Sequence, residues 1–441
     1  MKARELRKKY PTFTYKGYSY EVKDGDLEMA FDFRLGQTRF SPRVVIKNVP
    51  AKSWLLSPTK QPILENLVFH LGLAEMPSYW KVTASPRIIV EAGNLNKTQI
   101  NWWHDLFTKG MGEYFYKNNI DFRSKNFLTI ESGGPAQRSF GEGGGVVFSK
   151  KTSNKTLVPI GGGKDAVVTY EILKRAKQAI KPFVLNPTNA QKALLRKMKE
   201  GSAITVQRTI DPKLLELNRE GYLNGHTPFS SYLAFLTTLC AALFDYKYIA
   251  LSNERSSNEG NVQYLGHEIN HQYSKSFEFE KKFRIYSKKY LTENIEYFSF
   301  LRPLYELQIA KLFAQYPQYF GTFLSCNEAH KTHSGRVKAT GKWCGACSKC
   351  LFVFLVLSPF AREKTLRIFK KDLLQDKELK PLLDELTGKR GFKPFECVGT
   401  TKESRAALEL QTRKDHPLLH AWNNKHFLPR NLEKALRSML Q

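Results

Sequence analysis

The chain has 441 residues, 41% of them apolar, and its 69 Lys and Arg against 41 Asp and Glu give a formal charge of +28. That apolar content excludes a disordered or fibrous protein and supplies core for about two or three domains. The densest apolar stretch, Leu351 to Phe360, is far too short to span a bilayer, and the basic start MKARELRKKYPTFTYKGYSYEV lacks the apolar run of a signal peptide, so a cytoplasmic protein without membrane insertion is expected.

In chain order, residues 1–130 mix aromatic and β-branched runs (Phe13 to Val22, Val44 to Val49, Arg87 to Val90) with a helical stretch at Gln99 to Asn118, which predicts a separate α+β domain. Residues 131–155 include Ser132 to Gly145, SGGPAQRSFGEGGG, which has no periodicity and reads as a linker or mobile loop close to a ligand site. From 156 to 441 a catalytic domain is expected. Strands at 156–160, 182–186, 203–209 and 247–252 alternate with helices at 167–180, 189–200, 212–220 and 229–244. This alternation predicts a parallel sheet covered by helices, with ligands at the carboxyl ends of the strands. Beyond about residue 277 the pattern is largely helical.

The run Thr156 to Ala166, TLVPIGGGKDA, is an apolar strand that breaks into three glycines followed by Lys164 and Asp165. Glycines let backbone N–H groups approach an anion, and a helix N-terminus behind them favours negative charge. No Gly-Lys in the chain is followed by Ser or Thr, so a Walker A loop is excluded. The run resembles instead the Ser-Gly-Gly-X-Asp-Ser loop of enzymes that cleave ATP to AMP and pyrophosphate, with Gly161 and Ala166 in place of the flanking serines.

Cys326, Cys344, Cys347 and Cys350 supply four thiolates with two Cys-X-X-Cys steps, the pattern of a closed structural zinc site, with an iron–sulfur cluster as the alternative. Trp343, Phe352 and Phe354 are expected to pack around it, whereas Cys240 lies in an apolar helix as an inert thiol. Glu268 to Glu280, EINHQYSKSFEFE, crowds His271, Lys275, Glu278 and Glu280 with aromatics, a density of proton-transfer groups that suits a buried active site. The charge excess can attract polyanions such as RNA. It is spread from Arg4 to Arg437 with no basic block, however, which is the pattern of a solvated surface.

With these segments the chain resembles the family of ATP-dependent UDP-N-acetylmuramoyl-L-alanyl-L-glutamate epimerases, a peptidoglycan-precursor branch of the pyrophosphatase-loop (PP-loop) enzymes. The resemblance rests on IGGGKDA (160–166), LELNREGYLNGHTP (215–228), LSNERSS (251–257), NHQYSKSFEFE (270–280), LRPLYEL (301–307), SCN (325–327), WCGACSKCLFVFL (343–355), KPFECVG (393–399) and ESRAA (403–407). These span most of residues 156–407, and little before residue 110 contributes. Ala166 departs from the usual Ser and removes one hydroxyl contact to phosphate.

The resemblance implies an α/β fold with a parallel sheet of the PP-loop ATP pyrophosphatase type and a helical, zinc-knuckle C-terminal part. It implies conversion of the terminal L-Glu of a UDP-linked muramoyl dipeptide to D-Glu, with ATP, Mg²⁺ and a structural Zn²⁺ as cofactors. Gly161, Gly162, Gly163 and Lys164 would cradle the phosphates, Asp165 would hold Mg²⁺ or orient the loop, and Ser252, Asn253 and Glu254 would close the nucleotide pocket. Arg255, Lys275 and Arg302 would meet the substrate carboxylates and diphosphate. The proton carriers stay open among His271, Lys275, His226 and Cys397, and the sequence does not set the oligomeric state. Two other readings are a PP-loop enzyme of tRNA or nucleobase modification and a non-catalytic nucleotide-binding module. The segments at 251–280 and 393–407 argue against the first, and against nucleic acid as substrate; the intact Gly162-Gly163-Lys164-Asp165 core argues against the second.

Overall fold

Leu27, Met29, Phe31, Phe33 and Leu35 alternate with more polar residues and are all buried, which makes Asp26–Leu35 a strand with one face in a core. The same alternation recurs along the chain in a computed structural model that describes residues 2–50, 57–133, 146–150, 152–330 and 341–440. In order the strands are β1 (Thr12–Lys23), β2 (Asp26–Leu35), β3 (Thr38–Phe40), β4 (Arg43–Ile46), β5 (Arg87–Val90), β6 (Thr129–Ser132), β7 (Thr156–Pro159), β8 (Ile180–Leu185), β9 (Ile204–Thr209), β10 (Tyr248–Leu251), β11 (Val262–Tyr264), β12 (His267–Ile269) and β13 (Glu296–Ser299). Eleven form one mixed sheet in the order β13-β10-β7-β8-β9-β4-β2-β1-β5-β6, with β3 paired to β2; β11 and β12 form a separate hairpin.

The segment β13-β10-β7-β8-β9 is parallel throughout. At its edge β4 pairs antiparallel with β9, Val44 opposite Arg208 and Ile46 opposite Val206. The strands of residues 1–130, expected as a separate α+β domain, therefore continue the same sheet, and the change of composition near residue 130 marks no break in it. Most of the glycine-rich run read as a linker, residues 134–145, lies outside the described residues.

The helices that frame the site are α1 (Lys97–Gly110), α2 (Gly112–Lys117), α3 (Lys164–Arg175), α4 (Phe229–Phe244), α5 (Phe277–Tyr290), α6 (Glu306–Ala314) and α7 (Ser348–Phe369). Strand alternation assigns each sheet face to its own core. Leu157, Phe183, Ile249 and Tyr297 enter one core with α4, α5 and the N-terminal elements, while their neighbours Val158, Val184, Ala250 and Phe298 enter a second core with α3, α6 and α7. Among the described residues no helix is long and apolar enough to cross a membrane.

Two expected helices differ in extent. Gln99 to Asn118 is two helices, α1 and α2, because the backbone turns out of helical geometry at Met111 between Gly110 and Gly112. The helix expected at 167–180 begins at Lys164, directly after the extended Gly163, and Ile180 opens β8 instead of extending the helix face. Lys177, with φ of +53°, turns the chain between them.

Candidate active site

Three neighbouring parallel strands deliver the site. β7 ends in Gly161 to Lys164, β10 ends in Ser252 to Glu254, and β13 leads through Arg302 to Glu306 at the start of α6. The carboxyl ends of adjacent parallel strands face the same crevice.

The glycine loop is shaped for close approach. Gly162 has φ of +95°, which L side chains rarely adopt, and its carbonyl accepts a 2.8 Å bond from Leu324 N. A Cβ at Gly163 would stand 3.3 Å from Ser325, whereas one at Gly161 would meet only open space. α3 begins here without a side-chain cap, leaving its first N–H groups oriented toward the crevice. Beside it the buried Ser252 Oγ has no hydrogen-bond partner among the described residues. An uncapped helix end and an orphaned hydroxyl suit an anionic, hydrogen-bonding ligand such as a nucleotide phosphate. Asn253 is committed to the protein, donating to Ser299 Oγ at 3.1 Å.

Lys164 points inward. It is only 2% exposed and its ammonium is paired with both Asp165 and Glu306. Asp165, Glu254 and Glu306 bring one carboxylate oxygen each to within 4.8 Å of the others. Burial, then the Glu306 charge, raises Asp165, and the same two causes push Glu254 up to about 7. Burial also opposes charge on Glu306, but Lys164 and Lys349 outweigh it and hold that carboxyl low. Three hard oxygen donors, two of them disfavoured as anions by burial and by the Glu306 charge, are a donor set that could hold a divalent cation such as Mg²⁺.

Next to these carboxylates lies a second cluster. Lys275 Nζ stands 3.0 Å from Cys397 Sγ, and Cys397 and His271 each shift the other's titration. His271 Nδ1 bonds Glu113, and the His226 ring packs against His271 with centroids 4.2 Å apart. Burial disfavours charge on both Glu113 and His271. Their mutual bond reverses this, holding Glu113 down at about 2, and together with Cys397 it lifts His271 to about 9. His226 goes the other way, lowered to about 3 by burial and by the charge of His271. Gly112 and Asn270, the chain neighbours of Glu113 and His271, help line an open cavity of about 440 Å³ together with Thr108, Lys109, Asn258 and Glu278.

Arg302 departs from its expected place at the substrate carboxylates. It is 0% exposed and donates to Glu280, Ser257, Ser299 and the carbonyls of Glu254 and Lys275, so its guanidinium ties together the segments that carry the site. Arg255 is different: its guanidinium stacks 4.4 Å over the Tyr305 ring and makes no carboxylate contact among the described residues. Glu278 lies at the surface, paired with Lys109 and Lys282.

The four cysteines converge as their spacing predicts. Their sulfurs all lie within 4.8 Å of one another, with Cys326 to Cys347 at 4.0 Å and Cys344 to Cys350 at 3.6 Å. A tetrahedral ion with bonds of about 2.3 Å places its sulfurs about 3.8 Å apart. Gly345, with φ of +66°, makes the knuckle turn, and Trp343 packs between Phe323 and Phe369. This cluster touches the site on both sides. Leu324, two residues before Cys326, holds the glycine loop, and Lys349, between Cys347 and Cys350, binds the Cys397 carbonyl and lies 3.7 Å from Glu306.

The sequence alone marks neither Glu306 nor Glu113 as a site residue, and places Lys349 only in the cysteine knuckle. Glu306 and Lys349 sit inside the quoted segments LRPLYEL and WCGACSKCLFVFL, which was the available signal. Glu113 lies in none of the quoted segments.

The family profile described as the MurL N-terminal domain matches residues 4–300, and that of the MurL C-terminal domain matches residues 322–438. A Micromonospora protein named UDP-N-acetyl-alpha-D-muramoyl-L-alanyl-L-glutamate epimerase is 36% identical over 93% of this chain and 89% of its own length. Proteins of the same name from Salinispora tropica and Xanthomonas oryzae pv. oryzae are 35% and 32% identical, over 92% and 90% of this chain and 86% and 85% of their own lengths. By both profiles and by these relatives, the chain belongs to the MurL family.

Proposed function

We propose that the protein epimerises the terminal L-Glu of UDP-MurNAc-L-Ala-L-Glu to D-Glu, with ATP as co-substrate leaving as AMP and pyrophosphate. The name shared by relatives that align over 90% or more of the chain supports the substrate. The observation that carries the chemistry is the open, uncapped glycine loop beside Asp165, Glu254 and Glu306, which suits phosphate and Mg²⁺ together.

Activation has a clear purpose. Removing a Cα proton next to an ionised carboxylate places two negative charges side by side, whereas an acyl adenylate neutralises that carboxylate and withdraws electrons, so the α-proton becomes acidic. In this reading the loop amides of Gly161 to Gly163 and Ser252 receive the phosphates, and Lys164 keeps Asp165 and Glu306 ionised and in place. Asp165, Glu254 and Glu306 would hold Mg²⁺, which when bound neutralises phosphate charge. Arg255, whose guanidinium makes no carboxylate contact among the described residues, is suited to a substrate carboxylate or diphosphate. Cys326, Cys344, Cys347 and Cys350 would hold a structural Zn²⁺ that braces the glycine loop and Lys349 from behind.

The test is incubation with ATP, Mg²⁺ and the L-Glu precursor, followed by chiral analysis of the glutamate and separation of the nucleotides. D-Glu with AMP and pyrophosphate is expected, with no need for tRNA. Release of ADP, or tRNA-dependent AMP release with unchanged glutamate, would refute the reading and favour a nucleic-acid-modifying PP-loop enzyme.

A further inference from the structure

Cys397 belongs neither to the carboxylate group nor to the four-cysteine cluster, yet the fold invests several buried side chains in placing it. Lys275 Nζ lies 3.0 Å from its sulfur, His271, itself braced by Glu113, acts electrostatically on the thiol, and Lys349 holds the Cys397 carbonyl. Lys349 also reaches toward Glu306, and Lys275 senses the charges of Glu254 and Asp165, so the sulfur stands beside the proposed activation site.

We propose that Cys397 is a proton carrier at Cα of the substrate glutamate, positioned by Lys275 and by the His271–Glu113 pair; this rests on the epimerase reading above. The Cys397 thiolate takes the Cα proton, so an S–H bond forms as the C–H bond breaks, and the released electron pair moves into the adjacent activated acyl group. A proton originating from water is added to the opposite face of Cα. The thiol then returns its own proton to water by way of His271, which leaves the enzyme unchanged and no proton unaccounted for.

The alternatives in the cluster are less suited to accept a proton. Lys275 is held protonated: burial opposes its charge, but Cys397 and Glu254 raise it further. His271 keeps its proton between Glu113 and Cys397. His226 is neutral, but burial and the charge of His271 bring it down to about 3, which leaves it a weaker base than the thiolate. Burial alone would raise the Cys397 thiol, yet Lys275, His271 and Lys349 together bring it down to about 5. It is therefore the base with an available electron pair near neutral pH.

Two partial reactions separate this proposal from the reading beneath it: substrate-dependent ATP–pyrophosphate exchange, and deuterium entry from D₂O into Cα of glutamate. Cys397→Ser and Cys397→Ala are expected to keep the first within about threefold while losing at least about a hundredfold in the second, the typical loss for a missing general base. His271→Asn should slow deuterium entry and move the rising limb of its pH profile upward, which a merely structural role for the histidine would not do. Deuterium entry at a near wild-type rate in Cys397→Ser would overturn the proposal. So would loss of both reactions in folded Cys397 variants. Wild-type protein that exchanges Cα but never pyrophosphate would instead count against adenylation, leaving Cys397 to be judged by its variants.

Discussion

The Lys349 ammonium, carried between two members of the four-cysteine cluster, bonds the backbone carbonyl of Cys397 and lies 3.7 Å from the Glu306 carboxylate. Through this one side chain the cysteine knuckle touches both the Glu306 carboxylate and the backbone that carries Cys397. Lys349→Met should therefore lower kcat/KM by about tenfold or more, since a misplaced catalytic group is costly even when the fold survives, while metal content stays unchanged. Parallel measurement of turnover and zinc decides this; an unaffected rate would remove Lys349 from the site.

Preorganised charge at a transferring group is typically worth several kcal/mol, so Asp165→Asn, Lys164→Ala and Glu306→Gln should each lose at least about a hundredfold in turnover. Glu306 is the informative member, because its pairing with Lys164 ties it to the loop from 142 residues away. A Glu306→Gln enzyme with near-normal ATP–pyrophosphate exchange would contradict the carboxylate seat described above.

About one zinc per chain is expected, bound by the four cysteines and acting on stability more than on chemistry. Cys347→Ser should lower the melting temperature. Because Leu324 links the same region to Gly162, it should also weaken ATP binding. Iron with visible absorbance, or a variant with an unchanged melting temperature, would argue against zinc.

Arg302 offers a choice between two roles. Its donors are all engaged inside the protein, with Glu280 as the charged partner. Breaking such a buried pair costs about 3–5 kcal/mol. Arg302→Met is thus expected to unfold at markedly lower urea concentration. A well-folded variant with only a raised KM for the precursor would restore the substrate-binding role.

The Glu113–His271 pair sets a pH window for stability. Burial works against both charges, but Cys397 and the Glu113 bond raise His271 from 6.5 to about 9, and the His271 bond lowers Glu113 from 4.5 to about 2. The raised histidine contributes stability that is fully present below 6.5 and is lost as pH rises through about 9. The lowered glutamate contributes stability that is present above 4.5 and is lost as pH falls through about 2. The stability gap between wild type and Glu113→Gln should therefore peak between pH 4.5 and 6.5, at about 1–3 kcal/mol for a charged hydrogen bond. Urea titrations across pH test this, and a gap that grows toward pH 10 would contradict the assignment.

Local periodicity alone determined the alternation of strands and helices from residue 156 onward, because apolar spacing of two or about four residues dictates which backbone can bury its side chains. The glycine loop and the four-cysteine cluster were legible for a similar reason. Their chemistry is written in short spacings, and the cysteine sulfurs do converge. The tertiary structure alone decided the partners. Glu306 meets Lys164 across 142 residues, and Glu113 meets His271 across 158. Neither contact leaves a local pattern, since each is created by which strand ends and helix starts the sheet order brings together. The same holds for Arg302, whose residue type suited a substrate fork equally well until burial committed its donors to Glu280 and its neighbours. It holds too for the joining of β4 to β9, a backbone pairing that carries no side-chain signature and merges the N-terminal strands with the parallel part of the sheet.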